Sequence, residues 1–176
     1  ENTIFKEINY DLVKLESELK EGGVNNKGDR TMILDTIKLI KTLPNHNITT
    51  HIVKKLKENE QQAYDELTSI RYVKDKIATL YFRELCWLFD IPIKDYQLVF
   101  PVDTWVKQMA NNLKILNEDG LSNEELKKVS GLEVKEKVID ICLKNSIDPI
   151  KFNAGLWYVG IHSLDIVLKN LENIHS

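Results

Sequence analysis

Apolar residues recur at three- and four-residue spacing along nearly the whole chain, and no stretch alternates with period two for long enough to require a strand. Ile4/Phe5, Ile8, Leu12, Leu15 and Leu19 mark a first amphipathic helix that stops at Gly22-Gly23. Val24 to Gly28 is a polar loop, and Asp29 is the expected cap of a helix carrying Met32, Ile33, Ile37 and Ile40. That helix must end before Pro44, because the residue preceding a proline is pushed out of the helical region. Thr49 or Thr50 is expected to cap a short helix through Ile52, Val53 and Leu56, and Ala63, Tyr64 and Leu67 mark another. From Val73 to Phe89 the chain is strongly apolar, which predicts a buried central helix. An irregular link holding Pro92 leads to a helix predicted over Pro101 to Leu116. Ser122-Asn-Glu-Glu125 has the capping-box spacing. A helix over Val134 to Leu143 follows Gly131, and Asp148-Pro149 opens a last helix to about Leu171. The expectation is all-α: a compact bundle of roughly nine short helices joined by short segments.

With 176 residues, 43% of them apolar and 29% charged, one domain over residues 1–176 with a packed core is expected, and a disordered chain is excluded. No apolar run approaches ~18 residues, so no membrane partner is expected. Glu1 is not followed by a basic and then an apolar stretch, so no signal peptide is expected, and the missing Met suggests a processing boundary. Cys86 and Cys142 sit in apolar helical contexts and read as buried free thiols of a reducing, cytoplasmic compartment. The four histidines are scattered, with no acidic or Cys partner at ligand spacing, so neither a metal site nor a cofactor is expected. A net charge of −3 argues against non-specific coating of nucleic acid, which needs many cations. A local basic site stays open: Ile70 to Asn117 holds seven Lys/Arg against five acids, an excess that a solvated face explains equally well.

Phosphate-loop, nucleophile-elbow and helical His-pair signatures are absent from the sequence. Two segments carry candidate chemistry. Ile70-Arg71-Tyr72-Val73-Lys74-Asp75-Lys76-Ile77-Ala78 precedes the apolar helix, and Phe100-Pro101-Val102-Asp103-Thr104-Trp105-Val106 sets an aspartate at a helix start. Singly, Lys74 and Lys76 read as solvated first-turn residues and Asp103 as an ordinary first-turn carboxylate. Taken together, a lysine with an apolar neck is a candidate amine nucleophile, and a helix-start carboxylate can stabilise a developing cation. Releasing a base from deoxyribose needs both.

The two segments resemble motifs of the helix-hairpin-helix DNA glycosylases, the superfamily of endonuclease III and the 8-oxoguanine glycosylases. Ile70 to Ala78 looks like the family's L-P-G-V-G-x-K-x-A hairpin and sets Lys76 on its catalytic lysine; Val102 to Val106 looks like its V-D-T-H/W-V segment and sets Asp103 on its catalytic aspartate. Their wide separation is similar to the archaeal 8-oxoguanine branch, as is Phe152-Asn153-Ala154-Gly155-Leu156-Trp157, in which Trp157 matches a base-stacking tryptophan and Asn153 stands at an acidic position. The resemblance covers about residues 67–171; the N-terminal third is only generically helical. It implies a glycosylase-type bundle and a base-excision glycosylase with lyase activity that acts through a lysine Schiff base, probing duplex DNA for an oxidised purine such as 8-oxoguanine. The iron–sulfur cluster of endonuclease III is not expected, because its four-cysteine tail is missing from this chain, and a monomer is expected. Lys76 and Asp103 would be catalytic and share one cleft, Trp157 and Asn153 would meet the base, and Arg71, Lys74 and Arg83 would meet the DNA backbone. Tyr72 and Lys74 replace both hairpin glycines, and Leu80 replaces an aromatic residue. A binding module with the glycosylase fold but without the chemistry is therefore the alternative. Trp87 and Trp105 are read as core, and Trp157 without the resemblance would be core as well.

Overall fold

A computed structural model describes the backbone of residues 11–174 and the side chains of residues 11–162. The expected start of the first helix at Ile4, Phe5 and Ile8, and His175, lie outside the described residues. Among the described residues there are nine α-helices, one 3₁₀ turn and no strand. None of these helices is long and apolar enough to cross a membrane. The chain divides into two compact units, Glu1–Ala78 with Glu84–Pro92, and Thr79–Arg83 with Ile93–Ser176.

The first unit contains α1 (Leu12–Glu21), α2 (Lys27–Thr42), α3 (Ile48–Glu58), α4 (Glu60–Ser69) and both ends of α5 (Asp75–Phe89). Short polar side chains set most of the starts. The Asp11 carboxylate accepts from the Val13 and Lys14 amides, and Asn59 caps α4 by accepting from Gln62 N. Two caps differ from expectation. Asn26, not Asp29, caps α2 by accepting from Gly28 N at 2.7 Å, and Asp29 lies inside the first turn, where the helix dipole favours a carboxylate. Asn47, not Thr49 or Thr50, caps α3 by accepting from Thr50 N at 3.0 Å. As expected, α2 ends at Thr42, ahead of Pro44. Ile52, Leu56, Ala63, Leu67, Ile70, Val73, Ala78, Leu85 and Cys86 are buried in this unit.

Helix α5 is not buried along its whole length. Trp87, Leu88 and Phe89 are exposed by 59%, 74% and 48%. Successive helical residues point about 100° apart, so three consecutive large residues cannot all face one core. Trp87 therefore leaves the predicted core.

The second unit takes the middle of α5, the 3₁₀ turn Tyr96–Val99, α6 (Thr104–Asn112), α7 (Asn123–Lys128), α8 (Gly131–Lys144) and α9 (Pro149–Ile174). Phe100, Val106, Ala110, Leu126, Val134, Val138, Cys142 and Leu156 form its buried cluster. Helix α6 is shorter than the predicted Pro101–Leu116. Asp103 ends it as an extended N-cap, and Lys114, at φ 58, turns the chain out of the helix at the other end. The capping box of α7 forms, with Ser122 and Glu125 exchanging side-chain and backbone bonds. Asp148 accepts from Ile150 N at 2.8 Å, ahead of Pro149 in the first turn of α9. Trp105 is 43% exposed rather than core; its Cβ and the adjoining ring atom Cγ make the close approach to α9, at Gly160. Both cysteines are free and buried.

Candidate functional site

Lys76 is the second residue of α5 and is exposed. It follows a tight turn in which Val73 N donates to Ile70 O at 3.0 Å, with Tyr72 third in the turn at φ 68. A positive φ at that position is what a type II turn requires and is usually met by glycine. The tyrosine thus occupies a backbone conformation usually taken by glycine. Lys74 is an ordinary extended N-cap that supplies no side-chain cap. Around the turn, Arg71 makes a two-pronged ion pair with Asp35, and the Tyr64 hydroxyl donates to Asp75 at 3.0 Å. Arg71, expected on a DNA backbone, is thus paired with Asp35 of α2.

Asp103 belongs to the second unit. Its Oδ1 accepts from Val106 N at 3.0 Å, the bond of an ordinary helix N-cap. The carboxylate is only half-buried and lies on the wall of an open cleft of about 550 Å³. Thr104, Lys107 and Gln108 continue the same wall, and Asn123, Leu126 and Lys127 face it from α7. Lys107 also donates to the Val129 carbonyl at 2.5 Å, which fixes its position beside the end of α7. These lining residues were not singled out in the sequence. For Lys107 the signal is its spacing, four residues on from Asp103, which sets the two on one helical face.

Arg83, Asn153 and Trp157 come together within the second unit. Arg83 Nη1 donates to Asn153 Oδ1 at 2.8 Å, and Asn153 Nδ2 donates to the Pro101 carbonyl at 3.1 Å. The Arg83 guanidinium sits over the Trp157 ring at 5.4 Å from its centroid, a cation–π contact. Asn153 is fully buried and Arg83 is 7% exposed, while Trp157 is half-buried. This cluster ties α5 and α9 to the Pro101 carbonyl, two residues before the Asp103 cap. Arg83 and Asn153 are placed as its inner members, and Trp157 as the one with surface left to offer. None of the described residues forms a His/Cys/Asp/Glu group able to hold a metal ion.

Comparison with protein-family models, curated proteins and solved structures gives no match for this chain.

Proposed function

We propose that the protein is a DNA N-glycosylase with lyase activity, acting on an oxidised purine in duplex DNA. The observation that carries this reading is the placement of the two motif residues: Lys76 in the first turn of α5 behind a glycine-like turn, and Asp103 as the N-cap of α6 on an open cleft. Both functions the chemistry needs are then held on helix starts rather than on mobile loops. The base would be extruded from the stack before reaction. As the C1′–N bond breaks, its electron pair leaves with the base, which takes up a proton, and the sugar acquires positive charge. Asp103 stabilises that charge. The unprotonated Lys76 amine forms a bond to C1′, and opening of the sugar ring gives an imine. Loss of a C2′ proton then expels the 3′ phosphate and breaks the strand. Trp157 supplies the remaining aromatic surface for the base, and Lys74 a charge for the backbone.

The test is borohydride trapping on duplex DNA carrying oxidised, alkylated or deaminated bases. Borohydride reduces the imine to a stable amine, so a covalent protein–DNA adduct forms only through an amine nucleophile. The wild type should trap and Lys76→Gln should not, with folding intact because residue 76 is exposed. Asp103→Asn is the informative partner, because Asn caps a helix as well as Asp does while carrying no charge. Base release should fall by orders of magnitude without unfolding, since one preorganised charge or donor contributes ~2.7–4 kcal/mol. Absence of both adduct and base release across the lesion panel refutes the enzyme. Salt-dependent binding to DNA that survives that outcome would favour the binding module, to which the two replaced glycines also point.

A further inference from the structure

Tyr72 is the feature of the first unit that packing explains least. It takes φ 68, a region costly for a side-chain-bearing residue, yet it is 55% exposed and recovers little burial in return. Its ring is nonetheless held in place. A Cβ added at Gly28 would come within 3.2 Å of Cδ1 and 3.3 Å of Cε1, so one edge of the ring lies against the bare Gly28 backbone in the first turn of α2. Among the described residues the Tyr72 hydroxyl makes no hydrogen bond, and Lys74, two residues on, makes no ion pair. Asp35 is paired with Arg71, and Asp75 accepts from the Tyr64 hydroxyl. A fixed, exposed aromatic ring two residues from exposed Lys74 is the combination that binds an unpaired base of a nucleic-acid strand: the ring offers a stacking face and the Lys74 ammonium meets a phosphate.

We infer that Tyr72 is a base-stacking residue of the DNA-contacting turn, held on Gly28, and that it occupies a hairpin glycine position for that purpose. The inference rests on the proposed action on DNA and adds a contact that the hairpin resemblance does not supply. It explains why a strained residue can persist at this turn: the ring acts on a ligand, not on the fold.

The test uses the whole chain and two short single strands, one bearing bases and one built entirely of abasic sites, with binding followed by fluorescence anisotropy. Tyr72→Leu and Tyr72→Gly should weaken binding of the base-bearing strand by about ten-fold, and Tyr72→Phe by less than about two-fold, because stacking needs the ring and not the hydroxyl. All of them should bind the abasic strand like the wild type, through its phosphates. Tyr72→Gly also removes the backbone strain, so its melting temperature should not fall and lost binding cannot be ascribed to misfolding. Gly28→Ala, whose Cβ would press on the ring edge and on the Asn26 cap oxygen, should weaken binding of the base-bearing strand and leave that of the abasic strand unchanged. Equal binding of that strand by wild type and Tyr72→Leu overturns the inference and leaves the glycosylase proposal standing. A wild type that binds neither strand and gives no borohydride adduct overturns both.

Discussion

Gly155 and Gly160 lie five residues apart in α9 and meet different surroundings. A Cβ at Gly155 would meet nothing within 4 Å, whereas one at Gly160 would lie 2.8 Å from Trp105 Cβ and 3.3 Å from its Cγ. Alanine in place of a helical glycine gains about 1 kcal/mol through backbone entropy, and that term is common to both sites. At Gly160 it is opposed by overpacking, which costs about 1–3 kcal/mol when the neighbour cannot swing away. Trp105 Cβ cannot swing away, because it is fixed to the backbone in the first turn of α6. Gly155→Ala should therefore stabilise by about 1 kcal/mol, and Gly160→Ala should lie about 1–3 kcal/mol below it. For a chain of this size that separates the two melting temperatures by roughly 2–12 °C. Thermal unfolding followed by far-ultraviolet circular dichroism reads the difference directly. Trp105→Ala keeps the Cβ and should relieve Gly160→Ala only in part. Equal stabilisation by the two alanines would show that α6 and α9 do not approach as closely as 2.8 Å requires.

Asn153→Ala removes a hydrogen bond from a buried cation and another to the Pro101 carbonyl, and should cost about 2–4 kcal/mol in urea unfolding; a loss below about 1 kcal/mol would mean that Arg83 and Pro101 find other partners. In the first unit, burial of Glu66 opposes its ionisation, but hydrogen bonds from Lys55 and His51 outweigh it and bring its carboxyl below the usual range. Asp35, hydrogen-bonded by Arg71, is held at about 2. Both carboxyls are depressed on folding, so their contribution is present above the unfolded values of ~4 and is lost as pH falls below them, that of Asp35 through about 2. Asp35→Asn with Glu66→Gln should flatten stability against pH in that window, and an acid limb as steep as the wild type's counts against both pairings. Burial pushes the Cys86 thiol up to about 12, and Cys142 upward in the same way. Neither should react with a disulfide reagent at pH 8 until denaturant is added, and a fast native-state thiol would contradict their placement.

Element types were legible from the chain because apolar period and cap chemistry agreed over most of it. Ser122-Glu125 and Asp148-Pro149 mark their helix starts in the sequence and form them in the structure. Asn26 and Asn47 were missed as caps although asparagine is among the best N-caps, because a threonine or aspartate nearer the apolar run drew the boundary inward. Trp87 and Trp105 were misread for another reason. Hydrophobicity averaged along α5 and around the α6 start shows how much apolar surface exists, while the direction in which each ring points depends on turns of 100° and on where a partner lies. The helix-start positions of Lys76 and Asp103 were readable because each follows a local break. The backbone conformation at Tyr72 was not readable, since tyrosine gives no local signal for a positive φ.

The Arg83–Asn153 pair shows what a closer reading of the same pattern would have found. On α5, Arg83 occupies the buried stripe of Thr79, Phe82 and Cys86, and on α9, Asn153 occupies that of Pro149, Leu156 and Gly160. A polar residue on an apolar stripe must find a partner or bear the cost of burial without one. An arginine only donates, whereas an asparagine offers both a carbonyl and an amide, so a lone buried arginine and a lone buried asparagine on two such stripes are complementary. Their 70-residue separation hides the pairing from any local window, but the stripe positions do not. The family resemblance led to the expectation that Asn153 meets the base and Arg83 the DNA backbone. Position on the helix face assigns them to the interior, and leaves Trp157, half-buried beneath the guanidinium, as the member of the cluster with exposed surface.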